Sequence, residues 1–460
     1  MAKRENDLGR DPVGKLLFRL ALPSVTAQLV NALYNIVDRM YIGHMEGVGD
    51  LALTGLGVCF PVLMFVSAIS SLVGMGGGSR AVVRMGERKE DEANAILGSA
   101  TALLILLSVL VTVFFQLVKE PMLLLFGATP ETIGYASDYL TIYLWGSIFV
   151  EISLGLNFFI TAQGFSTISM ATVLIGAGVN IVLDPILIFG LHMGVQGAAL
   201  ATITAQAVSA VWVLRFLTGK RTKLRLQKRF FRINARVLAP VLALGISPFI
   251  MNSTESLVNI AFNSSLKAYG GNPAVGAMTI CSSVMQVFFL LLQGIAQGAQ
   301  PIIGFNYGSG QLDRVKKAYR LLLTCALTFS CTACAALEFF PGLFVALFND
   351  KPELVGVAVW SLRVYAAGMF MLGIQTSCQQ TFVALGQAKV SLFLALLRKI
   401  ILLIPLILLL PRLLSDQVFA VFLAEPVADI LAALTTGSMF LWRFPRILEH
   451  RRRELAEKHP

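Results

Sequence analysis

Polar residues set at helical spacing inside an apolar stretch are where chemistry is to be sought first. Ser24, Gln28, Asn31, Asn35 and Asp38 stand at steps of four, three, four and three within LALPSVTAQLVNALYNIVDRMYIGH, residues 20–44. A helix places them on one stripe. The stretch is apolar enough to cross a bilayer, and a stripe of amides ending in an acid cannot face hydrocarbon. It has to face a protein interior or a water-filled cavity, where an ionisable group is a functional candidate by default. A second set has the same character. Asn180 lies four residues before Asp184, on the same helical face, and Thr202 follows in the next apolar stretch. Two carboxylates, an amide and a hydroxyl supply hard oxygen ligands for a small cation such as Na⁺. They equally supply a carboxylate pair that holds a proton, because burial and like charge disfavour two anions side by side.

The chemistry needs elements to position it. The 460 residues are 56% hydrophobic and only 14% charged, with a mean hydropathy of +0.75. A soluble chain carries nearer a quarter charged residues. Residues 93–118 hold no charge at all, longer than the roughly 20 residues a bilayer requires. Twelve spans are predicted, at 15–43, 51–79, 93–118, 132–160, 169–189, 194–214, 237–263, 274–305, 321–340, 354–383, 390–410 and 417–442. The fold class is therefore an all-α polytopic membrane protein. The polar first turns and the long first span argue against a cleavable signal.

The net charge of +11 would suit a nucleic-acid partner, but its distribution argues against one. With the N-terminus inside, the outer connections hold only Lys119, Lys267, Lys351 and Arg412 of the 37 Lys and Arg, and most of the rest fall on the inner side. This bias predicts two cytoplasmic termini and a lipid bilayer as the partner of the basic residues. The six cysteines all lie in predicted spans, and Cys331 and Cys334 read as two small residues one turn apart. Four histidines in loops and the C-terminal tail, and a glycine run at 74–78 followed by Ser79 without a lysine, leave no enzyme signature, no catalytic residues, no P-loop and no cofactor.

The longest polar interruption, 218–236, divides the chain into copies. Pro23 aligns with Pro248 and residues 86–93 with 311–318 at an offset of 225; after a three-residue slip Tyr143 meets Tyr365 and 162–164 meets 384–386. Six spans per half make a parallel repeat, for which a binding cavity between the bundles is the expectation. The expected divisions are an N-lobe at 1–218, a basic cytoplasmic linker at 219–236, a C-lobe at 237–443 and a basic cytoplasmic tail at 444–460. Asp38 aligns with Asn263, which cannot titrate, so the first half is the one specialised for charge.

Depth sorts the remaining candidates. Asp38, Asp184 and Thr202 share a level in the outer half of the membrane, and Pro185 would free backbone carbonyls beside them. Glu151 stands near the inner end of the fourth span. Glu255, Glu425 and Asp429 are secondary candidates for coupling or substrate handling, although some must pair with the intramembrane bases Arg363, Arg398 and Lys399. Gln286, Gln293, Gln297 and Gln300 form a stripe on the eighth span. With Asn31 and Asn35 they are expected to line an aqueous chamber. Met64 and Met285, with Phe65, Phe158, Phe159 and Phe288, would offer an adaptable apolar surface to greasy cations.

The strings LALP (20–23), LYNIVD (33–38), NIVLDP (180–185), GVQGAA (194–199) and QGAQPIIGFNY (297–307) resemble the multidrug and toxic compound extrusion (MATE) family, in particular its bacterial MepA-like group, over nearly the whole chain. The resemblance implies two pseudo-symmetric six-helix bundles forming a V around a central cavity, in the bacterial cytoplasmic membrane. It also implies drug efflux by antiport against Na⁺ or H⁺, with amphipathic, often cationic compounds as substrates. Asp38, Asn180, Asp184 and Thr202 match the family's N-lobe cation site, and Pro23 matches a proline at which the first helix bends in some relatives. Glu255 resembles a seventh-span acid of another branch. A single chain is expected to work as a monomer. The rival reading within the superfamily is a lipid-linked oligosaccharide flippase, which would need a strongly cationic cavity.

Overall fold

Backbone polar groups in hydrocarbon have no water to bond, so an apolar stretch closes its hydrogen bonds on itself as a helix. The computed structural model describes residues 6–348 and 352–458, which form helices, turns and short connections with no strand among them. Lys351, one of the four outer basic residues, lies outside the described residues. Ten helices are long and apolar enough to span a membrane, and Ile133–Trp145 with Ser147–Ala162 make one more, bent by 58°. The longest, Ala235–Gly308, is two helices joined through Gly271, whose φ of 65° is open to glycine at little cost. Counted that way, twelve spans stand where hydropathy predicts them.

They are α1 (Val13–Gly43), α2 (Gly49–Gly86), α3 (Glu90–Leu125), the bent α4 (Ile133–Trp145 and Ser147–Ala162), α5 (Ser166–Pro185), α6 (Gly194–Thr218), α7 (235–270), α8 (272–308), α9 (Leu312–Phe339), α10 (Leu354–Ala384), α11 (Ala388–Leu413) and α12 (Gln417–Lys458). Asp184-Pro185 does not end its span. The missing N–H of Pro185 is followed by a π-helical turn at Ile186–Gly190, which carries the chain on past it. The tail of the sequence reading continues α12 as helix to Lys458.

The compact units divide elsewhere than at the basic linker. Thr26–Ser253 belong to the first unit; Leu8–Val25 join the second, which runs from Thr254 onward. Each unit therefore takes the opening part of a helix from the other half of the sequence, and glycines explain how. In the first unit the start of α7 lies against α2 so closely that a Cβ on Gly245 would stand 1.7 Å from the Leu72 carbonyl oxygen, and one on Gly76 would stand 2.1 Å from that of Val241. In the second unit the start of α1 lies against α8, where a Cβ on Gly294 or Gly298 would meet the backbone of Val25 or Ala21 at 2.7 and 2.5 Å. Small residues let helices approach where apolar burial gives little drive in lipid. Asn306 Nδ2 and Arg314 Nη2 also donate to the Leu8 carbonyl, at 2.9 and 3.1 Å.

The linker is pinned rather than loose. Gln163 Oε1 accepts from the Thr222 hydroxyl and from the N–H groups of Lys223 and Leu224, each at 2.8 Å, and Asn94 Oδ1 accepts from the Arg225 N–H. In the first unit, Leu56, Val66, Phe115 and Tyr139 pack one core, and Val73, Leu104, Leu156 and Phe159 pack a second one. In the second unit, Phe262, Leu337, Tyr365 and Phe422 form the larger core.

Candidate cation site in the first unit

Three helices of the first unit bring Asp38, Asn180, Asp184 and Thr202 together. Asp38 stands near the end of α1, Asn180 and Asp184 one turn apart on α5, and Thr202 two turns into α6, which packs along α5. All four are buried, Asp184 completely. The Asn180 amide nitrogen donates to Asp184 Oδ1 at 3.3 Å and reaches the Thr202 hydroxyl at 3.5 Å. The Asp38 and Asp184 carboxyl groups lie side by side. Among the described residues, Asp38 Oδ1, Asn180 Oδ1 and Asp184 Oδ2 are buried oxygens with no hydrogen-bond partner. Such oxygens are costly to leave unpaired. Acceptors clustered without donors want a proton or a hard cation, and the donor set of carboxylate, amide and hydroxyl oxygens suits Na⁺ as well as H⁺.

Tyrosines complete the surroundings. Tyr34, one turn before Asp38, feels the charge of both acids, and the hydroxyl of Tyr139 on α4 faces Thr202. Sequence reasoning passed over these tyrosines, since only the four-residue spacing of Tyr34 from Asp38 marked either out.

The other candidates fall into place separately. Ser24 is buried, donates to the Leu20 carbonyl at 2.9 Å and belongs to the second unit, so the stripe on α1 is divided between units. Asn31 is half-buried and Asn35 exposed, its amide donating to the Asn31 carbonyl at 2.7 Å. Pro23 sits within α1, whose helix continues through it. Met64 is half-buried in the first unit, while Phe65 packs edge-on to Phe115 and Phe249. Phe159 corrects the expected apolar drug surface: it is fully buried in the core, its ring against Gly77. Glu151 lies in the interior of the second segment of α4 rather than near its end, completely buried.

In the second unit Gln286 is exposed, and Gln293, Gln297 and Gln300 are half-buried along one side of α8. Met285 and Phe288 pack against the core. Three acids are tied to bases. Arg398 Nη2 donates to Glu425 Oε1 at 3.0 Å and its Nε to Asp429 Oδ1 at 2.7 Å, while Lys399 pairs with Glu255. Arg363 is exposed. The adjacent bases point about 100° apart around a helix and so meet different neighbours; both sit in a π-helical stretch, Leu397–Leu403 of α11.

Among the described residues, twelve membrane-spanning helices in two repeated halves define a polytopic membrane protein. The chain belongs to the MatE family, whose model matches residues 23–186 and 248–409, beginning in each half at the aligned proline. Among curated relatives it is similar to the multidrug export protein MepA of Staphylococcus haemolyticus, 25% identical over 429 residues covering 92% of this chain and 93% of that one. It is likewise similar to MepA of Staphylococcus aureus, 26% identical over 436 residues covering 92% and 94%. Among solved structures, an outward-facing multidrug resistance MATE family transporter of the MOP superfamily superposes with a TM-score of 0.90 at 22% identity, over 97% of this chain and 100% of that one. A MOP superfamily transporter from Pyrococcus furiosus Vc1, described by a binding pocket of reversed polarity, gives 0.90 at 22% over 97% and 99%. At these identities the structures establish the fold.

Proposed function

We propose that this protein is a secondary active multidrug exporter of the bacterial cytoplasmic membrane, with both termini inside. It expels amphipathic, often cationic compounds by antiport against Na⁺ or H⁺. The observation that carries this reading is the buried Asp38–Asp184 pair, with unpaired oxygens on both acids and on Asn180. The MepA relatives, named as multidrug export proteins, support the reading as a drug exporter. In this reading Asn31, Asn35, Gln286, Gln293, Gln297, Met64 and Met285 line the drug chamber, and α1 flexes at Pro23. Loading Asp38, Asn180, Asp184 and Thr202 with the coupling ion lowers drug affinity in the outward state. Each state has to bind one ligand better than the other, or the ion gradient does no work. A lipid-linked oligosaccharide is the poorer substrate, since the acidic oxygens of the first unit would repel its pyrophosphate.

The test is efflux of a fluorescent cation from proteoliposomes, with Na⁺ and pH gradients imposed separately on wild type and Asp184→Asn. Drive by one gradient, lost in the folded variant, identifies the coupling ion at this site. Drive that survives in the variant refutes the site and moves coupling to Glu255, Glu425 or Asp429. No response of the wild type to either gradient refutes the exporter.

A further inference from the structure

The outward side of α12 changes character within one turn. Leu431, Leu434, Leu441 and Trp442 are exposed along one strip of the helix, which lipid has to cover in a membrane-spanning chain. The same strip continues through Pro445 and Arg446, both exposed. Trp442 is thus the last large apolar residue of the strip. It stands where hydrocarbon gives way to headgroups, the depth at which indole rings collect. Two guanidinium groups lie on its ring, with Arg443 Cζ 5.6 Å and Arg446 Cζ 4.1 Å from the centroid.

Neither arginine has an anion to meet it. Among the described residues Arg443 and Arg446 make no ion pair, and Arg443 Nε is a buried donor without an acceptor. The arginines further along the helix differ. Arg452 and Arg453 pair with Glu449 at 3.7 and 3.3 Å, and Arg451 pairs with Glu454 at 3.1 Å. Glu449, the acid nearest in sequence to Arg446, is therefore already engaged. The segment is also held in place. Arg451 Nε and Nη2 donate to the Tyr307 and Gly308 carbonyls at the end of α8, at 3.3 and 2.9 Å. Tyr319 of α9 stacks on Phe440, with ring centroids 4.3 Å apart, and lies against Phe444 at 5.4 Å. Pro445 adds an acceptor at the same level, because it brings no N–H to the Leu441 carbonyl.

We propose that Arg443, Trp442 and Arg446 form a binding site for an anionic glycerophospholipid of the phosphatidylglycerol type. The two guanidinium groups take the phosphodiester, whose oxygens match their planar forks while their faces stay on the indole. The headgroup hydroxyls donate to the freed Leu441 carbonyl, and the acyl chains lie along the strip that runs back through Leu441, Leu434 and Leu431. A zwitterionic lipid carries its own cation beside the phosphate, which two guanidinium groups disfavour. A soluble phosphate gains nothing from the apolar strip. The lipid is favoured because it matches both parts of the surface.

The test uses the full-length protein in phosphatidylcholine vesicles holding a fixed fraction of phosphatidylglycerol, or of phosphatidylcholine, brominated on its acyl chains. Bromine quenches nearby tryptophans, and the share due to Trp442 is the difference between each protein and the same protein carrying Trp442→Phe. At Trp442 the wild type should favour phosphatidylglycerol over phosphatidylcholine by about tenfold or more, since each arginine near a membrane surface contributes about fivefold. Arg443→Gln combined with Arg446→Gln should bring that preference close to one. Arg452→Gln combined with Arg453→Gln removes as much charge from arginines that already have acids, and should keep the preference. If the first pair fails a melting check, Arg446→Gln alone decides, at an exposed position: a loss of about fivefold supports the site, and an unchanged preference overturns it. No preference in the wild type overturns the site as well. Equal losses in the two double variants replace it by diffuse attraction between charges. Millimolar glycerol phosphate should leave the quenching as it is; relief of quenching would give the arginines to a soluble phosphate and overturn the lipid.

Discussion

Asn180 is the residue on which the candidate cation site turns, because its single amide nitrogen reaches both Asp184 and Thr202. Replacing it by leucine removes that donor and one unpaired oxygen together. Asn180→Leu should raise the ion concentration for half-maximal efflux by about tenfold or more, as loss of a supporting group around a bound ion does. An unchanged ion dependence would show that the amide is not part of the site. Phe159 lies at the other extreme. As a fully buried ring in the core it should cost about 3–5 kcal/mol when cut to alanine, seen as a lower Tm without a selective change in drug preference. That Asp38, Asn180, Asp184 and Thr202 would come together was legible in the sequence, because a spacing of four and a shared depth leave few other places for two acids, an amide and a hydroxyl. Tyr34 and Tyr139 were not, since a tyrosine with an apolar body and a polar tip suits a core, an interface or a site equally. Phe159 was misread for the same reason, one phenylalanine among 31.

At the scale of the element, adjacent charges on one helix serve different partners. Arg398 and Lys399, in the π-helical stretch of α11, pair with α12 and α7. Arg398→Ala would strand Glu425 and Asp429, both buried, and should destabilise the protein by about 3–5 kcal/mol. The triple variant Arg398→Leu, Glu425→Gln, Asp429→Asn should recover most of that loss. Thermal unfolding in micelles separates the two, and a triple variant as unstable as the single one would refute pairing as the role of the arginine. That some of these charges pair was legible, because isolated charges are intolerable in a membrane. Which ones pair was not, since adjacent bases point about 100° apart around the helix and the packing of neighbouring helices decides which acid each one meets.

On the scale of the molecule, twelve spans and a twofold repeat follow from hydropathy and an offset of 225, and both stand in the structure. The exchange of helix segments between halves was hidden. It depends on pairs as distant as Leu8 and Asn306, and no local pattern records a partner 298 residues away. Gly298→Val should dislodge the start of α1 from α8, since even a Cβ there meets Ala21 at 2.5 Å. The expected result is a drop in Tm and in yield; Gly134→Val, at a glycine with nothing within 4 Å of its Cβ position, is the control that should leave both near wild type. The exchange also sets a timetable for biogenesis. Leu8–Val25 leave the ribosome well before the surface they pack on, which is not made until α8 has been translated, more than 200 residues later. At elongation rates of about 5–20 residues per second, that segment waits some tens of seconds in the membrane without its partner. Over that interval its exposed polar positions are open to chaperones, to the insertion machinery and to quality-control proteases, and a stalled ribosome anywhere before α8 leaves an N-terminal helix that cannot complete its packing.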